Sequence, residues 1–201
     1  MSDWNFNLLT PGESFPNIDS DIIAIDIESR PRDGCIGEKD ALNPWKSKVL
    51  GISIAVIGEC WYFPLRHRFG ENLNPENVIP FIQDKINRAK IIVNHNTRFD
   101  MKQLSVNEGI EWDSSKEYID TGIMASLLDE NRSSYKLKDL ANQDLGIPNI
   151  EEAILKSYLK SNKTKDYSFI PVDIMAPYAC GDTERALKLY NHYKDKIVQE
   201  Q

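Results

Sequence analysis

Asp26 and Glu28 stand two residues apart near the end of the isoleucine-rich run DIIAIDIESR, residues 21–30. Side chains two apart in a strand project to the same side, so both carboxylates leave one face at the strand's C-terminal end. In open α/β sheets that end is where ligands bind. A strand end emerging into water explains the pair equally well. Two more acids sit in suggestive places: Asp100 in NHNTRFD (94–100) and Asp182 in PYACGDTERAL (177–187), four residues after Tyr178 and on the same helical face. Taken singly, Asp100 is a first-turn acid facing a helix macrodipole and Asp182 a solvated position.

Positioning these residues requires particular elements. The opening strand is followed by a polar loop, SRPRDGCIGEKDALNPWKS, and then by KVLGISIAVIG and CWYFPL, two β-rich runs joined around Gly58 and Glu59 as a hairpin. Three antiparallel strands in succession follow. NPENVIPFIQDKINRA reads as a helix capped by Asn74 with Pro75 in its first turn, and Pro80 is expected to shorten or kink it. KIIVNHN is a short strand feeding a helix that stops at Gly109, EYI a further strand, and Asp120 or Thr121 caps the helix after it. Helices over YKLKDLANQDLG and IEEAILKSYLK precede a last helix that starts near Pro177. Residues 1–20 lack clear periodicity and read as a lead-in docked on a single domain that spans 1–201. The expected class is α/β, a mixed sheet of about five strands flanked by helices.

Bulk properties narrow the function classes. The chain has 201 residues, 41% apolar and 27% charged, which is ordinary globular usage. Cys35, Cys60 and Cys180 are widely spaced and free of CxxC spacing, so neither a disulfide framework nor a zinc site is expected, and a reducing cytoplasmic setting fits. No signal segment or membrane span is visible. A net charge of −7 argues against a long nucleic-acid footprint. Basic residues nonetheless gather at Lys85, Arg88, Lys90, Arg98 and Lys102, at Arg132, Lys136 and Lys138, and at Lys156, Lys160, Lys163 and Lys165. Each group alone reads as a solvated helix face.

DIE at 26–28, NHNTRFD at 94–100 and YACGDTERA at 178–186 resemble, in order and spacing, the three motifs of the RNase H-like DEDD exonucleases of the tyrosine subgroup. The likeness is greatest to the 3′→5′ proofreading exonuclease domain of A-family, polymerase I-type DNA polymerases, and it covers roughly residues 20–195. It implies a five-stranded mixed sheet in the order 3-2-1-4-5 flanked by helices. It also implies that Asp26, Glu28, Asp100 and Asp182 bind metal, that Tyr178 orients the attacking water, and that Asn96 and Phe99 lie near the terminal nucleotide. Two departures stand out. Gly181 occupies a place where the proofreading pattern usually has an acid, and Arg132, beside Ser133 and Ser134, is not a clear match to the family's arginine.

If the four carboxylates meet, each pair at about 4 Å repels by roughly 4 kcal/mol at an effective dielectric near 20, so cations must enter. Arg98 and Arg185 are the only arginines in the motifs, and neither has the spacing to neutralise the whole set. Oxygen ligands without cysteine or histidine select Mg²⁺ or Mn²⁺ over zinc, and two such ions suit in-line phosphodiester displacement. The expected substrate is the 3′ end of single-stranded or frayed DNA, released as nucleoside 5′-monophosphates. Tyr167, Lys163 and Lys165 are candidates for its grip, with Phe169 read equally well as core. His95 reads as a capping or buried residue, His67 and His192 as surface residues. The polymerase partner is either a domain of a longer polypeptide or a separate chain. Competing readings are an RNase D-like enzyme that trims RNA 3′ ends and an idle fold that serves as a nucleic-acid or protein-binding module.

Overall fold

The structure is a computed structural model that describes residues 5–199. Six strands form one sheet: β1 (Asn5–Leu8), β2 (Ile22–Pro31), β3 (Ser47–Val56), β4 (Glu59–Pro64), β5 (Ile91–Asn94) and β6 (Glu117–Asp120). Their spatial order is β1-β4-β3-β2-β5-β6. β2, β3 and β4 pair antiparallel, whereas β5 and β6 continue the sheet parallel to β2. The five expected strands therefore keep the order 3-2-1-4-5. The correction is a sixth strand from the supposed lead-in, Asn5–Leu8, which pairs parallel with β4 at the sheet edge. Four residues carry too little periodicity to signal a strand. Phe6 and Leu8 join the sheet by packing on a core made of distant residues.

Helices cover both faces. They are α1 (Glu38–Ala41), α2 (Pro75–Arg88), α3 (Thr97–Glu108), α4 (Thr121–Leu128), α5 (Leu137–Leu145), α6 (Ile150–Ser161) and α7 (Val172–Gln199). Ile23, Ile25 and Ile27 of β2 point to one side and pack with Ile52, Ile54 and Phe63 against Val78, Ile82 and Ile86 of α2. Ala24 points to the other side, where α7 lies with small residues, Ala176, Ala179 and Cys180, at the contact. Alternation places Asp26 and Glu28 on that α7 side too. No helix among the described residues is long and apolar enough to cross a membrane.

The helix boundaries follow local chemistry with two exceptions. Asn74 caps α2 by accepting from Glu76 N at 3.0 Å, and Asp120 caps α4 through Gly122 N at 2.9 Å. Pro80 does not end α2, which runs unbroken to Arg88. α7 begins at Val172, not near Pro177, because burial of Met175 and Ala176 extends it upstream and Pro171 O accepts from Ile174 N and Met175 N. His67 is not a surface residue. It is buried between Tyr62 Oη, 2.7 Å from its Nε2, and Ile170 O, 3.1 Å from its Nδ1, and burial lowers its pKa to about 4. His192 is half-buried on α7.

The ladder between β2 and β3 is interrupted at a telling place. Glu28 pairs with Gly51 but Ser29 pairs with Val49, so Leu50 is an extra residue on β3. Such bulges re-aim side chains beside active sites. Leu50 thereby joins the α7-side core while Val49 and Ile52 face the other. Opposite Glu28, a Cβ on Gly51 would lie 2.1 Å from Tyr62 Oη, a buried atom already bonded to His67. Gly51→Ala is therefore expected to destabilise the fold by about 1–3 kcal/mol, the usual range for overpacking a core, as read by urea denaturation.

Candidate active site

Three separate segments bring the acids together. β2 presents Asp26, half-buried, and Glu28, buried. Asp100 enters from α3, and the turn that leads to it runs through Asn96 in the left-handed region, φ 66°, a conformation that asparagine tolerates. Asn94, at the end of β5, donates to Ile25 O at 2.6 Å and to Asp100 Oδ2 at 3.1 Å. One amide thus ties the neighbouring strand to the third acid. The Ile27 N–H also donates to the carboxylate of Asp100. On α7, Tyr178 and Asp182 are both buried, four residues apart. Ser53, the cross-strand partner of Asp26, donates to Ala179 O at 3.2 Å and shares a short contact with Thr183 Oγ1, which docks α7 on the sheet beside the acids.

The electrostatics confirm that the acids are neighbours. Burial pushes Asp26 up to about 8, with Asp182 adding to the shift. Glu28 is raised by burial and then by Asp26 and Asp182, and Asp100 by burial and then by Asp26. Burial raises Asp182 as well, although Lys138 and Arg185 pull it the other way. The Tyr178 hydroxyl is held well above its ordinary value by burial and by Glu28 and Asp182.

Two cations stand at Asp182. Lys138 Nζ lies 2.9 Å from Oδ2 and Arg185 Nη1 3.3 Å from Oδ1. Lys138 is therefore not on a solvated helix face, and Arg185 does neutralise part of the set. Among the described residues, no group of three or more His, Cys, Asp or Glu side chains is arranged as a ready-made ion cage. The donor set still fits hard divalent cations: all four donors are carboxylates, each destabilised as an anion by the others or by burial.

A cleft of about 400 Å³ opens beside Glu28, lined by Phe99, Tyr167, Lys165, Lys156, Leu159 and Thr164 among others. Phe99, Tyr167 and Lys165, three of the expected substrate contacts, thus line one cleft with Glu28. Asn96 and Lys163 are exposed and do not line this cleft. Phe169 packs under Arg68, 4.6 Å from its ring centroid, and against Phe69. Arg132 pairs with Asp144 through both carboxylate oxygens at 2.8 and 2.9 Å. His95 bonds Thr121 Oγ1 through Nδ1 at 2.9 Å, linking β5 to α4. Sequence reasoning missed Asn94, Ser53, Lys138 and Lys156. Asn94 opens the second motif and carried a usable signal, whereas Ser53 is legible only from the register. A larger apolar groove of about 720 Å³ between α3 and α4 holds none of the four acids.

A family model described as 3′-5′ exonuclease, of the DNA polymerase A type, matches residues 37–197. The chain belongs to this family. The match starts beyond the first motif, so the placing of Asp26 and Glu28 in this 3′-5′ exonuclease rests on the sheet. Over 116 residues the chain is 35% identical to a DNA polymerase of Escherichia phage T5, a span of 53% of this chain and 14% of that protein. DNA polymerase I of Chloroflexus aurantiacus is 30% identical over 168 residues, 81% of this chain and 17% of that protein. The exonuclease chain spans less than a fifth of either relative. Its fold is similar to that of Brucella melitensis NrnC with bound Mg²⁺, with TM-score 0.63, 18% identity, and coverage of 96% of this chain and 80% of that one. Trypanosoma brucei RNase D in complex with GMP gives TM-score 0.63 and 16% identity over 86% of this chain and 50% of that one.

The raised pKa of Asp26 makes metal-free stability depend on pH. The folded state holds this proton more tightly than the unfolded chain, so the stabilisation is complete below about pH 4 and is lost as pH rises through about 8. In EDTA the melting temperature is expected to fall between about pH 5 and pH 8, and Asp26→Asn to flatten that slope. Differential scanning fluorimetry across a buffer series reads both.

Proposed function

We propose that the chain acts as one exonuclease domain that hydrolyses the terminal phosphodiester at the 3′ end of single-stranded or frayed DNA, releasing nucleoside 5′-monophosphates. The observation that carries this reading is the meeting of four carboxylates from β2, α3 and α7, each raised in pKa, beside a buried tyrosine. Two bound Mg²⁺ or Mn²⁺ ions would supply an acidified water and neutralise the departing oxygen. Asp26, central in β2, would be a ligand shared by both ions. Glu28 and Asp182 would help hold the ion that acidifies the water, and Asp100 would help hold the other. Tyr178, protonated throughout the working range, offers its hydroxyl to align the attacking water.

The cleft beside Glu28 has the volume of a small-ligand site. Phe99 and Tyr167 offer faces on which a base can stack, and Lys156 and Lys165 sit where phosphates would follow. Such a grip on a few terminal nucleotides suits a chain of net charge −7. The polymerase relatives support a proofreading role, served by a polymerase domain or a separate polymerase chain. The likeness to RNase D keeps RNA as the competing substrate.

Turnover of 3′-labelled single-stranded DNA and RNA, with Mg²⁺ and with EDTA, tests these assignments. DNA should be degraded from the label and EDTA should stop it; faster RNA turnover would favour RNA trimming, and no turnover of either an idle fold. Asp26→Asn is expected to lower kcat by at least about a hundredfold, the scale for losing an electrostatic contact to the transition state. Tyr167→Ala should act mainly on KM, since a lost stacking contact is worth about 1–3 kcal/mol. Steady-state kinetics on short oligonucleotides separate the two.

A further inference from the structure

The two cations at Asp182 differ in how firmly they are held. Arg185 is fixed: it is buried, its Nη2 donates to Glu151 Oε2 at 2.6 Å and to Pro148 O at 2.9 Å, and Gly181 leaves its Nη1 the room that a Cβ would take. Lys138 has neither restraint. It projects from the first turn of α5, and its ammonium touches the two third-motif side chains at once: Asp182 Oδ2 at 2.9 Å and the Tyr178 hydroxyl, to which it donates, at 2.9 Å. It also lies 4.0 Å from the Tyr178 ring centroid. Beside it opens a cleft of about 340 Å³ lined by Asp139, Asn149, Glu152 and Lys156 together with Asp182. The ammonium thus has room to move toward Glu152, which Lys156 at 2.7 Å and Asn149 already engage and which would take it as a second cation.

We propose that Lys138 is a placeholder cation. In the metal-free protein it holds Asp182 and Tyr178 in position and offsets part of the cluster's negative charge, and a divalent ion that takes Asp182 must displace it toward Glu152. Lys138 already occupies Asp182 Oδ2 at 2.9 Å, and a divalent charge brought to that same oxygen would be repelled by the ammonium. The lysine therefore competes with the metal and weakens its binding while keeping the empty site ordered. This rests on the reading of the carboxylates as a metal site, which the test addresses separately.

The test is titration of the metal-free chain with Mn²⁺ by calorimetry, together with melting in EDTA, for the native protein, Lys138→Met and Lys138→Arg. Lys138→Met should bind Mn²⁺ about tenfold more tightly, within the usual span of coupling between two bound ligands, and melt lower in EDTA. Lys138→Arg keeps the charge and should retain native affinity, which separates competition from damage to the fold. Equal or weaker Mn²⁺ binding by Lys138→Met, or tighter binding by Lys138→Arg, overturns the placeholder while leaving the metal site standing. A native chain that binds no Mn²⁺ overturns the metal site and the placeholder with it.

Discussion

Like charges repel, and this chain gathers four acids that raise one another's pKa values or are raised by burial. Nothing in their own interactions favours that arrangement, so the rest of the molecule has to impose it. The imposition comes from apolar packing on both faces of the sheet, which is large and non-directional, and from a few hydrogen bonds, which are small and directional. Ile23, Ile25 and Ile27 anchor β2 on the α2 side, and their alternation leaves Asp26 and Glu28 no choice but the α7 side. The bulge after Glu28 ends regular pairing where the second acid leaves the strand.

The second half of the site depends on α7, a helix of 28 residues that spans the back of the sheet. Small side chains at Ala176, Ala179 and Cys180 allow close approach, and Cys60 of β4 meets Cys180 in the same layer. Apolar contact alone would let the helix slide, because it has no preferred register. Ser53 supplies one: it sits across from Asp26 and bonds Ala179 O, one residue after Tyr178, and Thr183, one residue after Asp182. The distance between the first and third motifs is therefore set by a serine that belongs to neither.

Much of this was legible in the sequence, and the omissions share a cause. The caps at Asn74 and Asp120 and the stop at Gly109 follow from local composition, and the order of five strands follows from the family resemblance that the three motifs carry. Asn5–Leu8 escaped notice because four residues show no periodicity and their partner lies some fifty residues away. His67 reads from sequence as a surface residue, although Tyr62 and Ile170 enclose it in space. Lys138 reads from sequence with its own helix face and not with α7, whose acid it meets. Each miss concerns a contact between segments distant in sequence, which propensity and local spacing do not encode.

Gly181 departs from the family pattern at a place where the surrounding structure leaves no room for a side chain. The proofreading pattern usually has an acid at this position, and its loss subtracts a negative charge next to Asp182. A Cβ built on Gly181 would meet Arg185 Nη1 at 2.7 Å and Glu151 Cδ at 3.7 Å. The carboxylate of Glu151 thus lies about where a side chain from residue 181 would extend, and Arg185 bridges it to Asp182. α6 thus sets a carboxylate beside Gly181, held there by the buried Arg185. Glycine is then what the arrangement demands, since any side chain there would push aside the guanidinium that links the two helices.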